Sequence, residues 1–247
     1  HAVVARSTDE AIAALRQGRA TETRSFSPDV FFLIPGSVAA DQVKELYDGE
    51  TSFRAAFDTF LELLARPSSL GWVGRDLRGV FAVPHPLGLP SLGEPFACAA
   101  TLAMAEMWAS FGITPQLVGG EGVGEIAALA LAGVISNEDA LRLACLRGRV
   151  LDRDSTLTLG DWTTGLAAAT KSAAKIPVLS FTLGRFVSEA ELAEELPQLI
   201  PNAPTRPFAA ARALVQRGDP VATPASRSFS LVEIGAGSLL SLTASEA

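Results

Sequence analysis

A chain of 247 residues, 48% hydrophobic and 19% charged, has room for one large folded domain, or one domain with an appendage, and its composition excludes disorder. A net charge of −7 with no basic stripe to offset it excludes nucleic acid as a partner. Every long apolar stretch meets a charge or a proline well before the ~18 residues a membrane span needs, so no membrane partner is expected.

In chain order, Ser7-Thr8-Asp9-Glu10 forms a capping box that predicts a short helix ending at Gly18. The run DVFFLIPG (29–36) is apolar and stopped by Pro35-Gly36, which predicts a buried strand. Helical spacing follows over 39–48 and 52–65, with Phe53, Phe57, Phe60 and Leu64 on one side. Residues 66–93, with Pro67, Pro84, Pro86 and Pro90, read as a long loop with at most one helical turn. Glu94 to Phe111 is apolar nearly all round and predicts a central buried helix. QLVGG (116–120) predicts a second strand, and a helix from about Gly124 to Leu131 follows. Ser136-Asn137-Glu138-Asp139 caps a helix to about Arg153. On that helix Arg142, Arg149 and Arg153 share one broad, solvated face, and Arg147 projects elsewhere. Residues 154–174, small and polar, read as a linker of low structural content. KIPVLSF (175–181) predicts a third strand, Ser188–Glu191 caps a helix to about Leu196, and 206–218 predicts a helix closed by Gly218. SFSLVEIG (228–235) predicts a fourth strand, and 238–245 a final helix. Apolar strands alternating with helices imply an α/β fold with a mostly parallel sheet flanked by helices.

Cys98 and Cys145 both lie in apolar helical patterns and read as buried, reduced thiols of a cytoplasmic protein. The only histidines are His1 and His85, and no Cys/His spacing fits zinc, so neither a metal nor another cofactor is expected. His85, in a proline-rich loop, reads as a surface residue. No signal peptide is evident, and a chain that opens on His1 is expected to be a domain of a longer polypeptide.

The stretch GGEGVGE (119–125) carries the functional argument. A strand enters, a glycine-rich turn follows and a helix leaves, the local plan of a nucleophile elbow. The glycines allow a sharp turn and close approach, and the amides of the new helix suit an oxyanion. Gly122 stands where an elbow places its nucleophile, and glycine has none. On these residues alone, a plain strand–helix connection without chemistry is the competing reading.

The turn lies within EPFACAATLAMAEMWASFGITPQLVGGEGVGEIAALALAGVISNEDALRLACLRGRVL. With FLIPGS before it and KIPVLSFTLG, RPFAAARALVQRG and LVEIGAGSLLS after it, this resembles the acyltransferase domain of polyketide synthases and the related malonyl-CoA:acyl-carrier-protein transacylases. The resemblance covers most of 28–245 and is most specific over 94–152. It implies the large subdomain of that fold, a hydrolase-like core. In that family the elbow reads G-H-S-x-G-E. The matching residues here are Gly120, Glu121, Gly122, Val123, Gly124 and Glu125, so Gly122 replaces the acylated serine and Glu121 the adjacent histidine. The family's arginine for the malonyl carboxylate falls 25 positions after the serine, which is Arg147. Arg147 reads either as that carboxylate's partner or as half of a structural ion pair, with Glu121 one candidate carboxylate. The family's P-G-Q-G oxyanion loop corresponds to Pro35, Gly36, Ser37 and Val38. The amide of Ser37 could still donate there, while its hydroxyl has no histidine placed to activate it. Arg147 to Pro177 spans only 30 positions and holds no histidine, so the family's small ferredoxin-like subdomain, which bears the general-base histidine, reads as deleted.

The resemblance divides the chain into a ketosynthase-to-acyltransferase linker remnant (1–27), a first core part (28–153), a short linker replacing the small subdomain (154–174) and a second core part (175–247). It implies a non-catalytic acyltransferase-like domain with a structural or docking role. The partners implied are the neighbouring ketosynthase and linker, with an acyl carrier protein or a separate acyltransferase as further candidates. The alternatives are a module binding acyl or phosphopantetheine groups, with Arg147, Ser37 and Val123 as the substrate-binding remnant, and a residual acyltransferase or hydrolase using an atypical group such as Glu121.

Overall fold

The structure, a computed structural model, describes residues 7–17, 29–66, 77–82, 88–152, 158–194, 201, 203–217 and 229–239. Its strands are β1 (Asp29–Ile34), β2 (Leu117–Gly120), β3 (Val178–Ser180), β4 (Arg185–Phe186) and β5 (Phe229–Glu233). Its helices are α1 (Thr8–Arg16), α2 (Ala40–Gly49), α3 (Thr51–Ala65), α4 (Pro90–Ser110), α5 (Val123–Leu131), α6 (Asn137–Leu151), α7 (Leu159–Ala168), α8 (Glu189–Glu194) and α9 (Pro207–Arg217). A 3₁₀ turn covers Leu77–Ala82.

The sheet order is β4-β3-β2-β1-β5. β1 pairs in parallel with β2 and β5, and β2 pairs in parallel with β3. Only the two-residue β4 runs antiparallel, on β3. The mostly parallel α/β fold expected from the alternation of elements is therefore the fold observed. Period-two alternation splits the sheet's apolar side chains between two layers. Phe32, Ile34, Val118 and Val178 enter the larger cluster, with α3, α4, α5 and α6. Leu33, Leu117 and Leu179 enter the smaller one, with Phe181 and with Ala210 and Leu214 of α9. Strands buried on both faces explain why these runs read as continuous hydrophobes rather than alternating ones.

The helix predicted from Glu94 begins a turn earlier, at Pro90, and carries Pro95 inside it. A proline at the first helical position loses no bond, because that N–H has no intrahelical partner. Packing pins this extra turn. A Cβ on Gly148 would lie 2.3 Å from the Pro90 carbonyl oxygen, so α4 and α6 touch backbone to backbone there.

Residues 154–174, read as a linker of low structural content, contain α7. Thr158 and Asp161 close a reciprocal capping box at its start, and Trp162 and Leu166 are buried. Alanine and threonine in the flanks masked a short amphipathic helix. The caps form as expected: at Ser136 the Asp139 amide donates to the serine Oγ at 3.0 Å, and at Ser188 the Glu191 amide donates to the serine Oγ at 3.3 Å while the Ser188 amide donates to Glu191 Oε2 at 3.0 Å, a reciprocal box. Residues 240–245, most of the final helix expected over 238–245, lie outside the described residues, as does His85.

Candidate functional site

The parallel strands deliver their carboxyl ends to one edge of the sheet, and the turn 119–125 sits there between β2 and α5. Gly122 has φ 60° and ψ −125°, a conformation that L side chains rarely adopt. Two neighbouring glycines are forced by close approach. A Cβ on Gly120 would lie 2.2 Å from the Gly124 carbonyl oxygen, and one on Gly124 would lie 2.3 Å from that of Ile34. Gly122 itself is different. The three atoms nearest to a Cβ there all belong to Arg147, with Nη2 at 3.5 Å, an ordinary contact. The turn thus leaves room for a side chain at the one position where an elbow needs it.

The loop after β1 forms the opposite wall. Gly36, at φ 70°, packs against the Glu121 carbonyl. The Glu121 amide donates to Ile34 O at 2.9 Å, and the Gly124 amide to Glu121 O at 2.9 Å. Ser37 does not offer a free hydroxyl: its Oγ donates to the Ala236 carbonyl, and the Ala236 amide donates back to Ser37 O at 2.7 Å. Val123, the first residue of α5, buries its side chain and presents its amide at the helix start, where the peptide dipoles favour negative charge.

Arg147 is brought to the turn, as its spacing implied, but the expected pairing with Glu121 is not formed. The Arg147 Nη1 donates to Glu94 Oε2, and Nη2 donates to the Pro201 carbonyl at 3.2 Å. Glu121 instead accepts a bond from the Thr205 hydroxyl at 2.6 Å. Glu94 wins because α4 and α6 are in backbone contact at Pro90 and Gly148, immediately beside both members of the pair. Both side chains are largely buried, 14% exposed for Arg147 and 17% for Glu94. Burial raises the Glu94 carboxyl above its ordinary value, and the guanidinium beside it opposes that rise.

Sequence reasoning gave two residues of this region no role. Glu94 was read only as the start of an apolar helix. A lone carboxylate at the head of such a helix needs a cation, and that was the available signal. Glu125 is 3% exposed, and its Oε1 accepts from Ser180 Oγ at 2.8 Å and from the Thr182 amide at 2.7 Å. Desolvation pushes its carboxyl up to about 7 against these bonds and the charge of Arg147. The two thiols offer no replacement nucleophile, because Cys98 and Cys145 are free and buried, and burial pushes both well above the ordinary thiol range. Among the described residues no group of three His, Cys, Asp or Glu could hold a metal ion, and no helix is long and apolar enough to cross a membrane.

A strained glycine turn at the carboxyl edge of a parallel sheet, with the 35–38 loop opposite and an arginine beside it, sits in a fold that solved acyltransferase domains share. Residues 95–214 match the acyl transferase domain family. Solved structures of that fold superpose on the chain. The acyltransferase domain of ZmaA gives a TM-score of 0.76 at 19% identity over 97% of this chain and 72% of its own. That of the polyketide synthase PpsC of Mycobacterium tuberculosis gives 0.66 at 19%, covering 95% and 91%. MCAT from Streptococcus pneumoniae gives 0.66 at 15%, covering 88% and 92%. Among curated proteins, polyketide synthase GfsB of Streptomyces halstedii is 35% identical over 162 residues, which is 61% of this chain and 3% of that protein. GfsA of the same organism is 37% identical over 123 residues, 47% and 2%. The bikaverin polyketide synthase bik1 of Gibberella fujikuroi is 33% identical over 151 residues, 58% and 7%. The chain is similar over these stretches to polyketide synthases, and it spans less than a tenth of the length of these curated relatives.

Proposed function

We propose that this chain is a non-catalytic acyltransferase-like domain, with a structural or docking role beside the ketosynthase and carrier protein of a polyketide synthase. The observation that carries the reading is Gly122, which adopts the strained angles of a nucleophile position and supplies no nucleophile. Three further features support it. Ser37 Oγ is tied to the Ala236 carbonyl, both cysteines are buried, and no histidine lies between Arg147 and Pro177. Between α6 and β3 the described residues form one helix, α7, which fits a chain lacking the family's small subdomain and its base. Loss of a single member of an acyl-transfer triad lowers the rate by roughly 10⁴–10⁶. On this reading both nucleophile and base are absent, and an architectural role is what remains.

The test is intact-protein mass after incubation with malonyl-CoA, followed by assay of transfer to a carrier protein. We expect neither an adduct nor transfer. A covalent acyl adduct would overturn the reading and direct attention to Glu121 as an atypical catalytic group.

A further inference from the structure

Arg147 is a largely buried guanidinium whose counter-ion comes from its own chain. One edge is held by Glu94 and the other by the Pro201 carbonyl. The same Nη2 that reaches Pro201 lies 3.5 Å from the point a Cβ on residue 122 would occupy, so the guanidinium forms a wall of the space above the turn. Glu94 is the only charged residue in α4 before Glu106, and its neighbours in that helix are apolar. A carboxylate this deeply placed, in an otherwise apolar face, reaches the guanidinium that borders the turn.

We propose that Glu94 is a built-in competitor: its carboxylate occupies the guanidinium that an acyl chain ending in a carboxylate would need, and so closes the space above Gly122 to anionic acyl groups. Neutralising that one charge opens a site for a small external carboxylate. The choice of acyl carboxylate as the excluded ligand rests on the acyltransferase-like reading above; the competition itself rests on the Glu94–Arg147 geometry. Glutamine suits the test because it keeps the shape and a carbonyl oxygen facing Nη1, while leaving the guanidinium's charge uncompensated. A charge-assisted hydrogen bond to an incoming carboxylate is then gained without the loss of a better partner.

Calorimetric titration with malonate, and with malonamide as the neutral comparison, tests this on the whole chain. We expect no saturable malonate heat from the parent, and binding at least about tenfold tighter from E94Q. Malonamide should bind neither, and adding R147Q to E94Q should abolish the malonate site. Folded E94Q that binds malonate no better than the parent overturns the proposal. So does malonate binding by the parent that is lost in R147Q, because Glu94 would then not be holding the guanidinium. Collapse of both E94Q and E94A would overturn it too, making the pair a folding contact and not a competitor. A malonyl-CoA adduct on the parent would sink both readings, because an anionic acyl group would then have entered the turn past Glu94. Failure of E94Q to bind malonate would sink this one alone and leave the non-catalytic reading standing.

Discussion

The carboxylate of Glu125 accepts a 2.8 Å hydrogen bond from the hydroxyl of Ser180, joining the first turn of α5 to the last residue of β3. The same oxygen accepts from the Thr182 amide, so one buried atom fixes the helix that leaves the glycine turn against the strand beside it. The Ser180 hydroxyl in turn accepts from the Leu183 amide at 2.9 Å.

This arrangement sets a pH dependence. The folded chain holds the Glu125 proton up to about pH 7, against an ordinary value of 4.5. A raised folded value means that the contribution is fully present below about pH 4.5 and is lost as pH rises through about 7, a swing of about 3 kcal/mol. Both bonds fall on Oε1, which a glutamine carbonyl can replace. E125Q is therefore expected to match the parent in urea unfolding at low pH and to exceed it above about pH 8. Identical pH profiles for the two chains would show that Glu125 is not buried as the protonated acid.

Restoring a serine at position 122 should not restore transfer. The space exists, with Arg147 Nη2 in ordinary contact range, but φ 60° strains any side chain there by about 1–3 kcal/mol. G122S is expected to fold with that loss of stability and, on the non-catalytic reading, to transfer no malonyl group to a carrier protein, because no histidine stands among the described residues to activate it. Measurable transfer by this single variant would mean that a base is present.

The two flanking glycines should be far less tolerant. Gly120→Ala and Gly124→Ala drive a methyl group to within 2.2 and 2.3 Å of backbone oxygens. Each is expected to lose about 3 kcal/mol or more, or to yield no folded chain. Gly49→Ala, in the last turn of α2 with open space around it, should gain up to about 1 kcal/mol. Equal midpoints in denaturant for all three would refute the packing of the turn.

Trp162 reports on α7. Its side chain is buried against the rest of the core, and Trp162→Ala is expected to cost about 3–5 kcal/mol by chemical denaturation. Thr158→Ala, which removes the cap, should cost about 1 kcal/mol. A tryptophan replaced without effect would return 154–174 to a surface linker.

The elements that sequence reasoning placed were those with a local signal. Continuous apolar runs ended by glycine or proline marked β1, β2, β3 and β5, and serine caps marked α6 and α8. β4 escaped because two residues, Arg185 and Phe186, carry no period. α7 escaped because its apolar face rests on Trp162 and Leu166 within a threonine- and alanine-rich background. In the site, Arg147 was legible from spacing and Gly122 from the turn. The partner of Arg147 was not. Glu121 stands next to Gly122 in sequence, but the guanidinium's neighbour is decided by how α4 crosses α6, a tertiary contact that neither helix announces alone. Glu125 matched a motif position, yet its burial depends on β3, 55 residues away.

β1 lies next to the edge of this order of strands, between β2 from the middle of the chain and β5 from its last described stretch. Its register with β5 joins Asp29 to Phe229, and the loop after it closes on Gly235 and Gly237. The wall facing Gly122 is therefore assembled from the first strand and some of the last described residues. During synthesis the turn must wait, half-built, until β5 and the residues after it have emerged, with β1 meanwhile exposing one unpaired edge. Slow closure of such distant contacts is the usual cost of a parallel sheet. It makes the β1 edge, rather than the glycine turn, the place where this chain is most exposed to chaperones and to misassembly.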